Sequence, residues 1–395
     1  MFDILMMVII MKILVIPTWY PNGKDQLMGI YHKEYCEALA KDPEIDVDML
    51  FVETTRLSEP FKSLTAKRWE KIEEKGYNVF INRMVNVTKI SAKWQFKRYV
   101  RQIEKAFKKY LRTNPKPDIL HAQVTLPTGY AVCLIGEKYN IPVIVTEHAS
   151  GFKEFFEGEN AKYSDYVLKH AYFTSVSKYM LNDLPEYVRR KAVIPNLVDT
   201  DSFKLDRKKI KGLRIAYVCA FRKGKRVEDL LSALKIIVDE KKIEDVKLTI
   251  IGDGYLNEYY HKKCHELGLD MYVDFVGRKS KTEVAEILNQ CNIFAIPSRM
   301  ETFCIPGIEA LASGMPVIST KCCGPEEYID EKCGRLVDVG DVKAMADAIC
   351  EVYKNLDKYD IKYLHSVADR YSSKSVCTIA KKIYKELFND KKEDK

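Results

Sequence analysis

The amino-acid sequence predicts an α/β protein of two domains, each built on a parallel sheet covered by helices. The chain has 395 residues, more than the ~150 residues of a typical single domain. Short runs rich in Val and Ile, without polar alternation, are separated by longer amphipathic stretches, a pattern typical of strands buried on both faces. This series runs twice, with a polar, proline-containing stretch between its two halves.

The predicted strands fall into two series. The first series is expected at residues 12–16, 47–52, 79–81, 119–121, 143–146, 172–176 and 192–194, and the second at 213–218, 247–251, 273–276, 293–296, 317–320 and 334–337. The first strand lies in the apolar run 4–17, which carries Lys12 and is shorter than the ~20 residues of a membrane helix. That run also lacks the basic leader and small-residue cleavage site of a secretory signal. We therefore expect a buried strand at 11–17, and an extension without a role in the fold at 1–10.

The break between the two series sets the predicted domain boundary. Residues 195–202 are polar and begin with a proline, and the charged run 204–211 follows them. We expect a first domain at 1–196, a second at 197–365, and a helical segment at 366–395 that packs back toward the first domain. Two such domains facing each other would form a central cleft, where a ligand meets the carboxyl ends of both sheets.

Composition and charge exclude several classes of protein. With 47% hydrophobic and 30% charged residues, the chain has enough apolar surface for sizeable cores and is not a disordered protein. The net charge of +8 is mild for this length and does not indicate a nucleic-acid binder. The 11 cysteines include no C-x-x-C pair, which argues against a disulfide framework or a zinc site and favours reduced thiols in the cytoplasm. The pairs Asp46/Asp48 and Asp199/Asp201 lie at a strand start and in the interdomain turn, so we assign no metal to them.

One region of the first domain is unusually basic. Residues 94–112 show apolar side chains at helical spacing with basic side chains on the other side, which predicts a core-packed helix with a solvated basic face. Between Lys62 and Arg112 the only acidic residues are Glu70, Glu73, Glu74 and Glu104. A patch of one sign could also hold an anionic membrane surface, at about 1 kcal/mol per nearby basic residue. Single-stranded nucleic acid is the weaker option, since the aromatic residues belong to the apolar stripe.

The most specific motif is the stretch 297–316, which follows the predicted strand 293–296. A helix should begin near Ile305 and end at a glycine, so the backbone N–H groups of Phe303, Cys304 and Ile305 are offered at a helix N-terminus. Such a position suits a phosphate or sugar hydroxyls. Glu301 precedes the helix and Glu309 lies one turn into it, and a carboxylate there would accept hydrogen bonds from neutral hydroxyls.

A second motif, at 219–230, follows the strand 213–218 and precedes a helix at 227–238. It places Arg222 and Lys225 at the end of the strand, where two cations can clamp a diphosphate and stabilise the charge that develops as it departs. Gly252 ends the next strand and would permit a close approach of the ligand. The third glycine of a dinucleotide fingerprint is missing there, so we expect no NAD.

Three further candidates lie in the first domain. Gly29 precedes a helix from about Ile30 and could contact a phosphate. His148 follows the strand 143–146, at the strand end that would face the cleft. His121 is expected in a similar place, although a lone histidine is more often structural, and we favour His148.

Taken together, these motifs resemble the retaining glycosyltransferase family 4, which has the GT-B fold of two Rossmann-like domains. The resemblance rests on the spacing from Glu301 to Glu309 within 297–316 and extends over nearly the whole chain. It includes the segments 13–20 with Gly29, 118–121, 146–148, 176–178, 194–196, 252–254 and 324–327. It is specific for the fold and the reaction but not for the sugar. The family's usual glycines after Phe303 and Lys225 are replaced here by Cys304 and Arg226.

The resemblance implies a role for each matched residue. Glu301 would bind the hydroxyls of the donor sugar, and Glu309 the ribose of the nucleotide. The amides of Phe303, Cys304 and Ile305 would hold the sugar and the distal phosphate. Arg222 and Lys225 would neutralise the leaving diphosphate, with donor contacts also at Gly29 and Gly252, and His148 would contact the transferred sugar near the reacting carbon.

The implied activity is that of a metal-independent hexosyltransferase without a cofactor. It would move a sugar from a UDP- or GDP-sugar to a glycan acceptor, expected to be lipid-linked, in capsule-type cell-surface polysaccharide synthesis. The first domain would face the acceptor and the second would bind the nucleotide-sugar, in the cytoplasm or peripherally on the inner face of the membrane. Three alternatives stay open: transfer to a small soluble acceptor, a sugar-nucleotide epimerase, and a catalytically silent binding protein.

Overall fold

The three-dimensional structure is a computed structural model of the chain. It describes residues 10–21, 27–56, 67–86, 91–182, 184–203 and 210–393. The predicted extension before Ile10, the basic residue Lys62 and most of the charged run 204–211 lie outside the described residues. All bounds and contacts below refer to the described part.

The chain divides into two compact units. One unit takes in Met1–Val176, Met180–Pro195 and Val376–Lys395, and the other takes in Ser177–Tyr179 and Asn196–Ser375. The sequence predicted the corresponding limits at 196/197 and 365/366, so the second limit lies about ten residues further along the chain than expected.

The first unit contains an eight-stranded sheet. Its strands are β1 (Met11–Pro17), β2 (Ile45–Arg56), β3 (Trp69–Glu73), β4 (Asn78–Asn86), β5 (Ile119–Gln123), β6 (Val143–Glu147), β7 (Tyr172–Ser175) and β8 (Lys191–Val193). Their order across the sheet is β3-β4-β2-β1-β5-β6-β7-β8, and all neighbours are parallel except β3 and β4. The helices of this unit are α1 (Ile30–Leu39), α2 (Ala92–Tyr110), α3 (Tyr130–Tyr139) and α4 (Ala161–His170).

The second unit contains a six-stranded, fully parallel sheet. Its strands are β9 (Leu213–Val218), β10 (Val246–Ile251), β11 (Val273–Phe275), β12 (Ile293–Ile296), β13 (Val317–Thr320) and β14 (Gly334–Val337), in the order β11-β10-β9-β12-β13-β14. The short helix α5 (Tyr179–Asn182) follows β7 and lies mostly in the first unit, and the short helix α6 (Thr200–Phe203) precedes β9. The second unit continues with α7 (Val227–Asp239), α8 (Asn257–Glu266), α9 (Lys281–Leu288), α10 (Ile305–Ala312), α11 (Val342–Lys354) and α12 (Ile361–Asp369). The last helix, α13 (Ser373–Glu393), begins in the second unit and belongs to the first from Val376 onward.

The two predicted parallel sheets are confirmed. Each predicted strand is present, and five of them have the expected bounds: β1, expected as a buried strand at 11–17, and β9, β12, β13 and β14. The strand β3 was not predicted, because its sequence is half-exposed, carries three charged side chains and has no apolar run. It adds an antiparallel edge to the sheet through β4.

The last helix, α13, returns to the first unit. Tyr384 lies in its buried face, and its hydroxyl is 2.9 Å from the hydroxyl of Tyr35 on α1. Lys381 donates to Asp42 and Glu44 at 2.9 and 2.8 Å. Residues 376–393 therefore pack with the amino-terminal sheet, in the direction that the sequence predicted.

The state of the cysteines and the character of the helices can be read directly from the structure. All 11 cysteines lie in described residues and carry free thiols. In the part of the chain that the structure describes, no helix combines the length and apolar character needed to cross a membrane.

Lys12, the one charge inside the first apolar run, has a structural partner. Its ammonium lies 2.7 Å from Asp48 and 2.9 Å from Asp46, both on the neighbouring strand β2. Asp48 is 1% exposed and also accepts from the hydroxyl of Tyr110 at 2.8 Å and the amide of Asn78 at 3.0 Å. The acidic pair that resembled a metal site therefore binds a lysine, because a buried carboxylate needs a cation and hydrogen-bond donors.

We expect Lys12→Met to lower the free energy of unfolding by about 3 kcal/mol, because it leaves a buried carboxylate without its cation. Chemical denaturation followed by circular dichroism measures this change. Asp46→Asn is the matched control: Asp46 is 53% exposed on its side chain, so losing its charge should cost about 1 kcal/mol or less. Equal effects of the two changes would show that the buried pair is not the stabilising contact.

Candidate functional site

The loop after β9 is held in place by two glycines that follow β10. A Cβ atom at Gly252, which has a φ of 140°, would lie 1.8 Å from the carbonyl oxygen of Cys219. A Cβ at Gly254 would lie 2.5 Å from the carbonyl oxygen of Phe221. These glycines are needed because backbone meets backbone, whereas the sequence explained Gly252 by the approach of a ligand. The donor contact at Gly252 stays a prediction.

Lys225 and Glu301 form the central contact of this site. The Lys225 ammonium lies 2.6 Å from Oε1 and 2.8 Å from Oε2 of Glu301, and the side chains are only 14% and 9% exposed. Lys225 ends a short helical turn after β9, while Glu301 follows β12. A buried pair from two different loops requires both loops to have fixed shapes. The structure thus brings together two residues that the sequence assigned to the diphosphate and to the sugar.

Two residues without a predicted role complete this contact. The hydroxyl of Ser298, which is 0% exposed, donates to Glu301 Oε1 at 2.6 Å. The hydroxyl of Tyr217 lies 2.9 Å from Ser298 Oγ and 3.0 Å from the carbonyl oxygen of Lys225. Ser298 could have been found from its position in the motif 297–316, three residues before Glu301. Tyr217 could not, because it resembles any other apolar residue of β9.

The charge on Lys225 is stabilised by this arrangement. Burial alone would lower the pKa of Lys225, but the carboxylate of Glu301 more than offsets it and leaves the pKa raised. The positive charge of nearby Arg222 acts in the opposite direction. Arg222 itself is exposed, and its guanidinium has no acidic partner among the described residues. The cation of Lys225 is therefore buried and paired with Glu301. The cation of Arg222 is exposed near it.

The backbone between Glu301 and α10 offers unpaired amides. The N–H groups of Phe303, Cys304 and Ile305 donate to no acceptor in the described residues, and α10 begins at Ile305 as predicted. A Cβ at Gly324 would lie 2.6 Å from both the N and Cα atoms of Phe303, so only a glycine lets the two loops approach this closely. Amides at a helix N-terminus are a binding site for an anion or for sugar oxygens.

Glu309 lies on α10, one turn after Ile305, and is 8% exposed. The four-residue spacing places Glu309 on the same face of the helix as the side chain of Ile305. Its predicted contact with a ribose stays a prediction.

Both departures from the family's glycine pattern adopt the conformation that glycine favours. Cys304 has φ 68° and ψ 73°, and Arg226 has φ 48° and ψ 44°, both in the left-handed region. Arg226 also forms an ion pair with Asp229, at 2.5 Å from Nε to Oδ2. Both residues therefore take up the backbone conformation that glycine adopts most easily, and each carries about 1–2 kcal/mol of backbone strain.

In the first unit, His148 lies directly after β6, as predicted. Glu147 fixes this turn: Oε1 accepts from the N–H groups of His148 and Ala149 at 2.8 and 2.7 Å, and Oε2 from Thr125 at 2.8 Å. Glu147 is fully buried, and burial raises its pKa even though these amides oppose the change. The buried carboxylate thus acts as a rigid support for the histidine.

Aromatic rings surround the imidazole of His148. The rings of Tyr31 and His32 on α1 both lie with centroids 5.0 Å from it, and the His32 ring stands edge-on at 89°. His32 is 1% exposed, and burial followed by the charge of His148 lowers its pKa well below the usual value. Gly29 begins this helix with φ 67°, and a Cβ there would lie 2.5 Å from the Trp19 carbonyl oxygen. Its predicted phosphate contact stays a prediction.

His121 was expected at a strand end, and that expectation is wrong. It lies inside β5, is 0% exposed, and contacts Tyr384 and Thr146 at 2.7 Å each. Burial lowers its pKa to about 3, so it is neutral near pH 7. His121 is a core histidine whose side chain faces protein on both edges.

Within the described ranges, no three His, Cys, Asp or Glu side chains are placed to hold a metal ion together.

Comparisons with known proteins agree with this geometry. The model "Glycosyltransferase Family 4" matches residues 29–202, and "Glycosyl transferases group 1" matches residues 199–362. An uncharacterized glycosyltransferase of Methanocaldococcus jannaschii is 29% identical over 357 residues, 88% of this chain and 90% of the relative. The N-acetyl-alpha-D-glucosaminyl L-malate synthase of Bacillus anthracis is 27% identical over 304 residues, 70% of this chain and 77% of the relative. Sucrose-phosphate synthase from Thermosynechococcus elongatus superposes with a TM-score of 0.77 at 20% identity, covering 96% of this chain and 100% of that chain.

The chain is therefore a glycosyltransferase with the GT-B fold, which confirms the predicted fold and the predicted class of enzyme. More particularly, the two matched stretches overlap at residues 199–202, and together they make the chain similar to the family 4 glycosyltransferases from residue 29 to residue 362.

We expect Cys304→Gly to raise the free energy of unfolding by up to about 1 kcal/mol, because it removes left-handed strain that outweighs the added chain entropy. Cys304→Val should lower it by about 1–2 kcal/mol, since a β-branched residue fits this conformation worst. Melting temperatures of the two variants measure the difference. As a control, Cys350→Gly in the middle of α11 should be destabilising, because glycine is unfavourable inside a helix. A Cys304→Gly variant that melts below Cys304→Val would contradict the strain.

Proposed function

We propose that this protein is a retaining glycosyltransferase that moves a sugar from a UDP- or GDP-sugar to a glycan acceptor without a metal ion. The observation that carries the proposal is the buried contact between Lys225 and Glu301 beside the free amides of Phe303, Cys304 and Ile305. A cation, a carboxylate and several amides are the groups that a charged diphosphate and a neutral sugar need together.

In the proposed complex the donor replaces the direct contact between Lys225 and Glu301. Lys225 and Arg222 then bind the diphosphate. Glu301 accepts hydrogen bonds from the sugar hydroxyls while Ser298 still donates to it. The negative charge of the diphosphate grows as the sugar leaves, and two fixed cations stabilise that charge without reorganising solvent. Glu309 would accept from the ribose. Retention would follow because the acceptor attacks the sugar on the same face from which the diphosphate departs, and the departing phosphate assists this attack.

His148 completes the proposed set of residues as a contact of the transferred sugar near the reacting carbon. Its turn is rigid because Glu147 accepts three backbone N–H groups. A ring fixed in this way can hold a sugar hydroxyl in one orientation, which lowers the entropic part of the barrier.

A pocket of the first unit supports a lipid-linked acceptor. It has a volume of about 560 Å³ and is lined by Trp19, Phe51, Met84, Phe96 and Tyr99 among others. Phe96 and Tyr99 belong to α2, whose exposed side carries the cations described next. An apolar pocket beside cations suits an amphiphile with a phosphate in its headgroup.

The exposed side of α2 is the part proposed to contact an anionic membrane. Lys93, Lys97, Arg101 and Lys105 are exposed and have no acidic partner among the described residues. Trp94 is 43% exposed next to them, with Arg98 5.4 Å above its ring. An exposed tryptophan among cations is typical of a surface that lies on a membrane interface. The protein would then work in the cytoplasm, at the inner face of the membrane.

Lys225→Ala and Glu301→Gln should each reduce the rate of sugar transfer by a factor of ~10² or more, the effect of losing one electrostatic contact in the transition state. The assay screens UDP-, GDP- and ADP-sugars for transfer and hydrolysis, with and without EDTA, after thermal shift has identified the donor that binds. Lys223→Ala is the matched control, since Lys223 lies two residues away on the same loop, is exposed, and should transfer normally.

Each outcome of this screen has a clear meaning. Loss of activity with EDTA would contradict the metal-free mechanism, and an inverted anomeric configuration of the product would contradict retention. Transfer to malate in place of a glycan would favour the small-acceptor alternative, to which the name of the Bacillus anthracis relative points. The absence of nucleotide binding would favour a silent binding protein.

The triple variant Lys97→Glu, Arg101→Glu and Lys105→Glu should bind anionic vesicles at least ~100-fold more weakly than the wild type, given about 1 kcal/mol per basic residue. Co-sedimentation with neutral and anionic vesicles measures this binding. The control reverses three exposed lysines of the second unit, Lys262, Lys343 and Lys358, which changes the net charge equally. Equal binding of the wild type to neutral and anionic vesicles would exclude the membrane part of the proposal.

A further inference from the structure

A buried chain of hydrogen bonds connects His148 to the carboxyl-terminal helix. Gln123 is the link: its Oε1 lies 2.6 Å from His148 Nε2, and its Nε2 lies 3.3 Å from His121 Nε2. His121 contacts the hydroxyl of Tyr384 at 2.7 Å, and Tyr384 contacts the hydroxyl of Tyr35 at 2.9 Å. All these residues except His148 lie in the buried core of the first unit.

The contact with Gln123 determines which nitrogen of His148 carries a proton. An amide oxygen can only accept, so the Nε2 of His148 must carry a proton and donate it to Gln123. On the other side of the amide, Gln123 Nε2 lies 3.3 Å from the Nε2 of His121, which also lies 2.7 Å from the hydroxyl of Thr146. Burial lowers the pKa of His121 to about 3, so this ring is neutral near pH 7 and holds a single proton.

We propose that Gln123 is a positioning residue for His148: it fixes the Nε2-protonated imidazole in one orientation, and the buried chain through His121 and Tyr384 in turn holds the Gln123 amide. The inference rests on the proposed role of His148 in sugar transfer. Gln123 itself would not touch the sugar, and neither would His121. The mechanism described above does not use this chain.

Two features indicate that the chain orients His148 rather than merely filling the core. Gln123 is 2% exposed and ends β5, so its backbone is fixed by the sheet and by the hydroxyl of Thr18, which donates to its carbonyl oxygen at 3.0 Å. Tyr31 and His32 limit rotation of the His148 ring from their sides. The contact of Gln123 Oε1 with His148 Nε2 at 2.6 Å then requires a proton on that nitrogen.

The decisive experiment is a double-mutant cycle between Gln123 and His148. Gln123→Met, which keeps the shape but removes both polar atoms, should lower kcat by roughly 10- to 100-fold, the scale of a reacting group displaced by about an ångström. The KM for the donor should change less than about threefold, because the diphosphate contacts are untouched. In the His148→Ala background, the same change should have almost no further effect. Additive losses would overturn the proposal.

Three further variants separate orientation from stability. Gln123→Glu keeps an oxygen that accepts from His148 Nε2 and should retain more activity than Gln123→Met. Tyr384→Phe removes the hydroxyl at the far end of the chain and should lower kcat in the same direction by a smaller factor. Tyr110→Phe, which removes another buried tyrosine hydroxyl of the same unit, should lower stability and leave kcat unchanged. Equal kcat values for the two tyrosine variants would contradict the chain.

A spectroscopic readout tests the inference even if no donor is turned over. The protein has 7 histidines, so ¹⁵N-histidine labelling gives few signals, and His148→Ala assigns the one that matters. The wild type should show His148 protonated on Nε2, and Gln123→Met should shift its ring nitrogens while Gln123→Glu restores a hydrogen-bonded Nε2. Unchanged shifts in Gln123→Met would overturn the inference. The absence of turnover in the wild type with any donor would instead contradict the proposed function alone.

Discussion

The site in the second unit depends on one buried ion pair, between Lys225 and Glu301. Taking two charges out of water costs several kcal/mol per ion, and replacing such pairs by apolar residues is often neutral or stabilising. The pair is therefore poorly explained as a device for stability. Lys225 and Glu301 lie in two different loops, and the hydrogen bonds of Ser298 and Tyr217 hold those loops together. In the proposed function, these buried charges would be shared with a ligand that brings opposite charges and hydroxyls.

The loops that carry the pair keep their shape because backbone packs directly on backbone. Gly252, Gly254 and Gly324 stand where a Cβ atom would overlap a neighbouring loop. Cys304 and Arg226 also show that the loop shapes are constrained, because both adopt a left-handed backbone conformation although neither is a glycine. The packing that surrounds them must outweigh their strain. In the proposed complex, such a site would bind the donor with preformed geometry, because the amides are aligned without it.

Much of the fold could be predicted from the sequence, since buried parallel strands form apolar runs that are easily recognised. The bounds of β9, β12, β13 and β14 follow directly from such runs, whereas β3 gave no signal because an exposed edge strand needs few apolar residues. For the site, the motif around Glu301 predicted the helix start at Ile305 and the groups near it. The direct contact of Lys225 with Glu301 could not be predicted, since it depends on the distance between two loops 76 residues apart in the chain. Tyr217 and Gln123 were missed for the same reason: each is an ordinary strand residue whose importance comes only from its neighbours in space.

Histidines show most clearly how environment decides a role. His32, His121 and His148 lie close together in the first unit, yet burial keeps the first two neutral, as their lowered pKa values indicate. A neutral imidazole has one donor and one acceptor, so a chain of such rings and hydroxyls has a direction, and a proton placed at one end determines the protons along it. His121 lies between the amide of Gln123 and the hydroxyl of Tyr384, at 3.3 and 2.7 Å. These contacts connect the packing of the carboxyl-terminal helix to the half-buried ring of His148.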